Sequence, residues 1–339
     1  AVLENLLAEF AQEREEKVHL IDRCGLTEFL WDQTSRHYGY RPHDPGIADF
    51  ALTLFKSCYA MGTGGESKLA AEALVLFKRW KNDRTFEEAF ETLSDTYSNV
   101  LAIKDDLKQR DFRDLIELDY FREIDREIIR NLVHEVAEQT APLADVNNWI
   151  RQRRQSHWFD EFRHLYGAIQ YAAEFLEAIG RVNLAMESVA DGVGRYVKSW
   201  YRIDRLYRKF IHHSRQSAQA SLMSELSERI ENLYVNNFLL KLNDSFQSHI
   251  DKLDRWAAPS VTRQRDFFAR HVAPFRAKDQ KICVIISDAL RYEIAEELLG
   301  RIRSIDRYDA EIEPMLSMVP SYTQLGMAAL LPNKELRIA

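Results

Sequence analysis

From Arg195 to Ala258 the chain runs for 64 residues without a glycine or a proline. Proline removes a backbone donor from a helix interior and glycine weakens it through backbone entropy, so so long a stretch without either predicts long helices. Two are expected, joined near Ser214 to Ala220. In the second, Leu222, Leu226, Ile230 and Leu233, then Phe238, Leu242, Phe246, Ile250 and Leu253, recur at helical spacing and form the expected buried stripe. Helices of this kind pack as a bundle or an arm.

The sequence ahead of this span has the same texture. Apolar residues fall three and four apart from Ala1 to about Leu253, with turn signals only at intervals and little strand-like alternation. Asp44-Pro45 opens a helix through Phe50, Leu54 and Cys58, which Gly62 to Gly65 ends. Ser67 is expected to cap the next helix, and Thr85 with Glu88 to form a capping box before Phe90 and Leu93. Pro142 marks a break; Trp149, Trp158, Phe162, Leu165, Ile169 and Phe175 then follow at helical spacing. This divides the helical part into an N-terminal domain, 1–142, and a long-helix bundle or arm, 143–258. No internal repeat of fixed period is evident.

Composition narrows the class. At 339 residues the chain has room for two or three domains. Nothing approaches the roughly 20 consecutive apolar residues of a membrane helix. Three widely spaced cysteines, Cys24, Cys58 and Cys283, provide neither a disulfide framework nor a CxxC metal site, so a reducing, cytoplasmic setting is expected. A net charge of −7 argues against a protein dominated by nucleic-acid affinity, without excluding a local basic stripe. The start in charged helical sequence and the end at Ile338-Ala339, just after a catalytic-looking motif, are read as those of an excerpt from a longer protein.

After Pro259 and Pro274 the texture changes. Lys281 to Ser287 is a compact run rich in β-branched residues, the pattern of a strand buried on both faces of a parallel sheet. Asp288 follows at once. Arg291 to Ile302 is helix-periodic with Ile294, Leu298 and Ile302 on one face, and Asp309 to Met315 alternates like a second strand. Strand, helix, strand is the beginning of an α/β domain, 275–339, with Thr323 to Leu331 as its next helix. The fold class expected is therefore a mainly α N-terminal region followed by the start of an α/β domain.

In open α/β sheets functional groups gather at the C-terminal ends of strands. Asp288 is expected at one such end, and Val319-Pro320-Ser321-Tyr322-Thr323 brings a hydroxyl to a helix N-terminus, where anions are favoured. A carboxylate beside a hydroxyl suits a hard cation that activates a nucleophile for attack on phosphorus. Taken singly, each residue is also an ordinary helix cap. Arg291 either contacts phosphate or covers the sheet edge.

The run Val284-Ile285-Ile286-Ser287-Asp288-Ala289-Leu290-Arg291-Tyr292-Glu293, followed by Pro320-Ser321-Tyr322-Thr323-Gln324-Leu325-Gly326-Met327-Ala328-Ala329-Leu330-Leu331-Pro332, resembles the PglZ family of bacterial BREX phage-exclusion systems. That family belongs to the alkaline-phosphatase superfamily. The resemblance implies that Asp288 is a metal ligand and Thr323 both nucleophile and ligand. It also implies divalent metal, Zn²⁺ or Mn²⁺, with two ions in the intact protein, and phosphomonoester or phosphodiester cleavage, with nucleic acid as a plausible substrate. The helical region also resembles the family's N-terminal part and implies contacts with other BREX proteins. The superfamily completes its site with later Asp and His ligands, and nothing after Thr323 here supplies them. The competing expectation is a helical scaffold that binds other BREX proteins around an incomplete phosphatase site.

A basic stripe stands apart from these motifs. Arg195, Lys198, Arg202, Arg205 and Lys209 fall at steps of three and four, with Trp200, Ile203 and Tyr207 toward the other side. They are candidate nucleic-acid contacts, the bland alternative being a solvated face or one paired with acidic neighbours. Arg151, Arg153 and Arg154 form a second basic cluster with the same alternatives. His157, Asp160 and His164 share a helical face, but the outer pair is about 10 Å apart along the axis, too far for one ion. His212-His213 are read as structural, and Gly62 to Lys68 lacks Walker spacing and reads as a helix-to-helix turn.

Overall fold

The computed structural model describes residues 2–217, 219–333 and 335–336. Ala218, inside the expected helix joint, and residues 337–339, at the end of the expected α/β segment, lie outside the described residues. The chain is a helical N-terminal region followed by the start of a domain with one small parallel sheet. It divides into two compact units, residues 1–170 with 216–223, and residues 171–215 with 224–339.

The first unit contains α1 (Val2–Ala11), α2 (Glu16–Arg23), α3 (Thr27–Tyr38), α4 (Ile47–Gly62), α5 (Glu72–Asn82), α6 (Glu87–Val100), α7 (Ile103–Leu107), α8 (Arg122–Glu138) and α9 (Leu143–Arg153). It also takes in the first half of α10 (Phe159–Arg181). α4 and α9 begin where the prolines at 45 and 142 predict. Two caps differ from expectation. Ser67 Oγ closes a turn on Leu69, accepting from its N–H at 3.1 Å and donating to its carbonyl at 2.7 Å, and α5 begins only at Glu72. Serine hydroxyls commonly take such local backbone partners instead of a helix end. The Thr85–Glu88 box is replaced by Asp83, whose carboxylate accepts the Thr85 N–H at 2.9 Å and starts a short 3₁₀ turn ahead of α6.

The apolar faces of these helices close on an aromatic core. Phe55, Phe77, Trp80, Phe90 and Phe121 are fully buried, with Phe55 and Phe77 edge to face at 4.9 Å between centroids, the arrangement ring quadrupoles favour. A charged pair is sealed inside. Arg153 pairs with Asp125 at 2.6 Å and donates to the carbonyls of Ile116 and Leu118, and Tyr166 donates to the same carboxylate. Both ions are 0% exposed, so Arg153 belongs to the core. Arg151 and Arg154 stay exposed. His157 bonds to Glu91 at 3.1 Å and packs edge-on against Phe90, a structural role.

The Gly/Pro-free span, most of it in the second unit, forms the two expected helical runs. α11 (Val189–Arg195) continues through a π turn at Tyr196–Trp200 into α12 (Tyr201–Gln216); α13 (Ala220–Asn232) continues through another at Leu233–Leu239 into α14 (Leu240–Ile250). Leu226, Ile230 and Phe238 of the expected stripe are buried, and Leu222, Leu233, Leu242, Phe246 and Ile250 are half-buried. Leu253 lies past the helix end and is exposed. Tyr207 and Tyr234 stack at 3.8 Å, and Asp204 accepts from both Tyr196 and Tyr234.

The remainder comprises β1 (Thr262–Arg263), α15 (Ala273–Ala277), α16 (Tyr292–Arg303), β2 (Met315–Leu316) and α17 (Thr323–Leu330). β1 pairs parallel to β2, with Thr262 opposite Met315 and Arg263 opposite Leu316. Here the structure corrects the sequence reading. Lys281 to Ser287 forms no strand or helix, and of the run from Asp309 only Met315 enters a ladder. A strand exists only where neighbouring strands accept its backbone groups. Among the described residues no strand pairs with 281–287, and Ile285 is 89% exposed.

Candidate active site

Asp288 and Thr323, 35 residues apart, meet at one place within the second unit. The Thr323 hydroxyl lies 3.4 Å from Asp288 Oδ2 and 3.5 Å from Oδ1. Each is held by its own local structure. Asp288 sits in a turn where its Oδ1 accepts the Ala289 N–H at 3.0 Å, and Ala289 adopts a left-handed conformation with φ of 52°. Thr323 is the first residue of α17, and the first N–H groups of a helix have no partner within it. Both side chains are exposed, so the pair faces solvent and is reachable by a substrate.

Different parts of the unit fix the two motifs. The loop before Thr323 is tied to the connector ahead of the domain: Trp256 donates to the Ser317 carbonyl at 2.7 Å, and the Met318 N–H donates to Gln264 at 3.1 Å. Gly326 lets the Gln264 amide approach, since a Cβ there would lie 3.2 Å from Gln264 Nε2. The β1–β2 ladder, backed by Val189, Ala258 and Leu316, adds a third tie.

The Asp288 turn leads into α16, and α16 is clamped to α12 by charge. Arg205 pairs with Glu296 at 3.1 Å; Arg208 and Lys209 meet Glu297 at 2.7 and 2.6 Å. These two cations hold the Glu297 carboxyl down at about 2, against an ordinary 4.5. Glu293, 0% exposed, lies 3.2 Å from Arg291 Nε and 3.9 Å from Arg208 Nε. The acidic face of α16 thus packs inward, while Leu298 on the apolar face is 48% exposed. Sequence reasoning passed over this clamp, although Glu293, Glu296 and Glu297 share one helical face by their spacing alone.

The other expected site residues are placed as follows. Arg291 is exposed beside the Asp288 turn and its Nε leans on Glu293. Arg205 and Lys209 are neutralised by α16, whereas Arg195 reaches Asp191 at 2.8 Å. Lys198 and Arg202 are exposed, with no ion pair among the described residues. A mainly apolar cavity of about 600 Å³ adjoins the motifs, lined by Val284, Ile286, Phe246, Phe267 and Ile312 among others. Neither Asp288 nor Thr323 lines it.

The donors at the Asp288–Thr323 pair are hard oxygens, suited to a divalent cation. Structural and catalytic metal sites of this kind use three or four protein ligands. Among the described residues no cluster of three or more His, Cys, Asp or Glu side chains could hold a metal ion, so the pair fits one side of a coordination shell. No helix among the described residues is long and apolar enough to cross a membrane.

Comparison with known proteins agrees with the motifs. Residues 267–339 match the family described as the BREX system PglZ alkaline phosphatase-like domain. The chain is 28% identical to the alkaline phosphatase-like protein BrxZ of Escherichia coli O9:H4 (strain HS) and 27% identical to the alkaline phosphatase-like protein PglZ of Bacillus cereus (strain H3081.97). Each alignment covers 99% of this chain, which spans 42% and 41% of those relatives' lengths. No solved structure matches significantly. The domain match over residues 267–339, with relatives aligned along the whole chain, supports a PglZ-family protein.

Proposed function

We propose that the chain belongs to a metal-dependent phosphohydrolase of BREX phage defence that cleaves a phosphomonoester or phosphodiester, with nucleic acid as the substrate class. The observation that carries this reading is the Thr323 hydroxyl 3.4 Å from the Asp288 carboxylate, at the start of a helix. Asp288 and Thr323 would hold a divalent cation, Zn²⁺ or Mn²⁺, whose charge lowers the pKa of the hydroxyl bound to it; a second ion is expected in the intact protein. Thr323 Oγ1 would release its proton to solvent and attack phosphorus as the bond to the in-line leaving oxygen breaks, and water would then hydrolyse the phosphothreonine so formed. The N–H groups opening α17, which a helix leaves without internal partners, favour an anionic substrate. Arg291, exposed beside Asp288, is the proposed phosphate contact, and the helical region the proposed surface for other BREX proteins.

The test is hydrolysis of a chromogenic phosphodiester by the full-length protein, with and without chelator. Chelation should abolish turnover, and Thr323→Ala should lower it by about a thousandfold or more. Activity that survives both overturns the reading.

A second reading, a helical scaffold carrying an incomplete phosphatase site, is favoured by the lack of a three-ligand cluster among the described residues. Under it, Thr323→Ala leaves co-purification with other BREX proteins and phage protection intact. Under the enzymatic reading, protection is lost while partners are still captured.

A further inference from the structure

The basic stripe is one feature in the sequence but two in the structure. Arg205 and Lys209 at its C-terminal end are taken up by Glu296 and Glu297. Its N-terminal end opens onto a separate cavity of about 670 Å³ within the second unit, walled by the end of α10 and by the passage from α11 into α12. Four cations line it, Arg181, Arg195, Lys198 and Arg202, against one carboxylate, Asp191. Asp191 serves Arg195, and Arg181 reaches Glu177 while remaining 79% exposed. Lys198 and Arg202 have no ion pair among the described residues.

We propose that this cavity binds phosphate groups of a nucleic-acid strand, through Lys198 and Arg202 with Arg181 on the facing wall, outside the Asp288–Thr323 site. In a chain of net charge −7, two exposed cations left without a carboxylate at the mouth of a basic cavity are set apart from the paired remainder of the stripe. Successive cations run along a helix here and do not converge on one point, which suits a series of phosphates better than a single small anion. The π turn at Tyr196–Trp200 lies within the cavity wall, an irregularity frequent at functional positions. Phosphate contacts of this type fix the register of a strand without reading its bases. The proposal rests on the hydrolase reading only in taking nucleic acid as the source of phosphate.

The experiment is fluorescence-anisotropy titration of a labelled single-stranded DNA with this 339-residue chain, in chelator and over a series of salt concentrations. Lys198→Glu/Arg202→Glu is compared with Arg151→Glu/Arg154→Glu, an equal charge change on the first unit, each variant checked for native helical circular dichroism. The cavity variant should bind about tenfold or more weakly, with a salt slope smaller by about two, while the control binds as the parent does. Equal loss in both variants, no loss in the cavity variant, or no DNA binding by the parent overturns the proposal. Inorganic tripolyphosphate is titrated in parallel: if it binds in a Lys198- and Arg202-dependent way and DNA does not, the source is a free polyphosphate and the nucleic-acid assignment falls. Binding is read in chelator and without turnover, so it stands or falls separately from hydrolysis.

Discussion

The first unit and the segment from Lys281 to Leu331 solve the problem of polar and apolar groups in opposite ways. In the first unit even a buried guanidinium has every need met: Arg153 has a carboxylate and two carbonyls around it, and Phe55, Phe77 and Phe90 are sealed from water. In the later segment Val284, Ile285, Ile286 and Leu298 face solvent, while Glu293 is the group taken inside. The cause lies in how each element satisfies its backbone. A helix closes its own hydrogen bonds and needs only one face covered, so the helices of the first unit complete a core. An extended run depends on neighbours for every N–H and C=O, and without them its apolar side chains have no layer to pack into.

The largest effect that tests this contrast is expected at the sealed ion pair. Asp125→Asn keeps the shape but leaves Arg153 buried without its countercharge, a change that typically costs about 3–5 kcal/mol. Urea denaturation should show the midpoint falling accordingly. A loss below about 1 kcal/mol would mean that water reaches Arg153 and that the first unit is not the closed core described.

A smaller effect is expected at the clamp between α12 and α16. Glu297→Gln removes a carboxylate shared by Arg208 and Lys209 and should cost about 1–2 kcal/mol, charge-assisted hydrogen bonds being partly offset by solvent. The dependence on pH follows from the depressed carboxyl. Its folded value, about 2, lies below its ordinary 4.5, so the stabilisation is fully present above 4.5 and is lost as pH falls toward 2. In thermal melts the advantage of the parent over Glu297→Gln should hold at pH 7 and shrink at pH 3. An advantage that grows on acidification would show that another group governs the clamp.

The same contrast explains what could be read from the sequence. The two long helical runs, and the helices opening at Pro45 and Pro142, followed from periodicity and from where glycine and proline fall, because helix formation is local. Their π turns at Tyr196–Trp200 and Leu233–Leu239 left no mark in the pattern, since one extra residue per turn shifts the register without altering composition. The separation of Asp288 and Thr323 along the chain hides their closeness, which only motif order suggested. Lys281–Ser287 has the composition of a strand, yet composition records a preference and the partner strand decides whether it is met. The charge of the basic stripe was legible, but which of its members are neutralised was not: Glu296 and Glu297 lie 91 and 88 residues along the chain from Arg205 and Lys209.

The smallest effect is the sharpest test of the comparison. Ile285 has the residue type and setting of a core strand, and in a sheet covered on both faces its replacement by serine would cost several kcal/mol through lost burial alone. Here its side chain is 89% exposed and touches no closed core, so burial contributes almost nothing to its stability. Ile285→Ser in the 339-residue chain should therefore change the unfolding free energy read from urea denaturation by no more than about 0.5 kcal/mol, the range of ordinary surface substitutions. The same substitution in a full-length PglZ-family protein separates two meanings of that exposure. If the longer protein is destabilised by more than about 2 kcal/mol, the run is a strand completed by residues that this chain does not contain. If the cost stays small there as well, the irregular conformation is the run's own and Asp288 is presented from a loop, which would shift the burden of positioning it onto the α16 clamp.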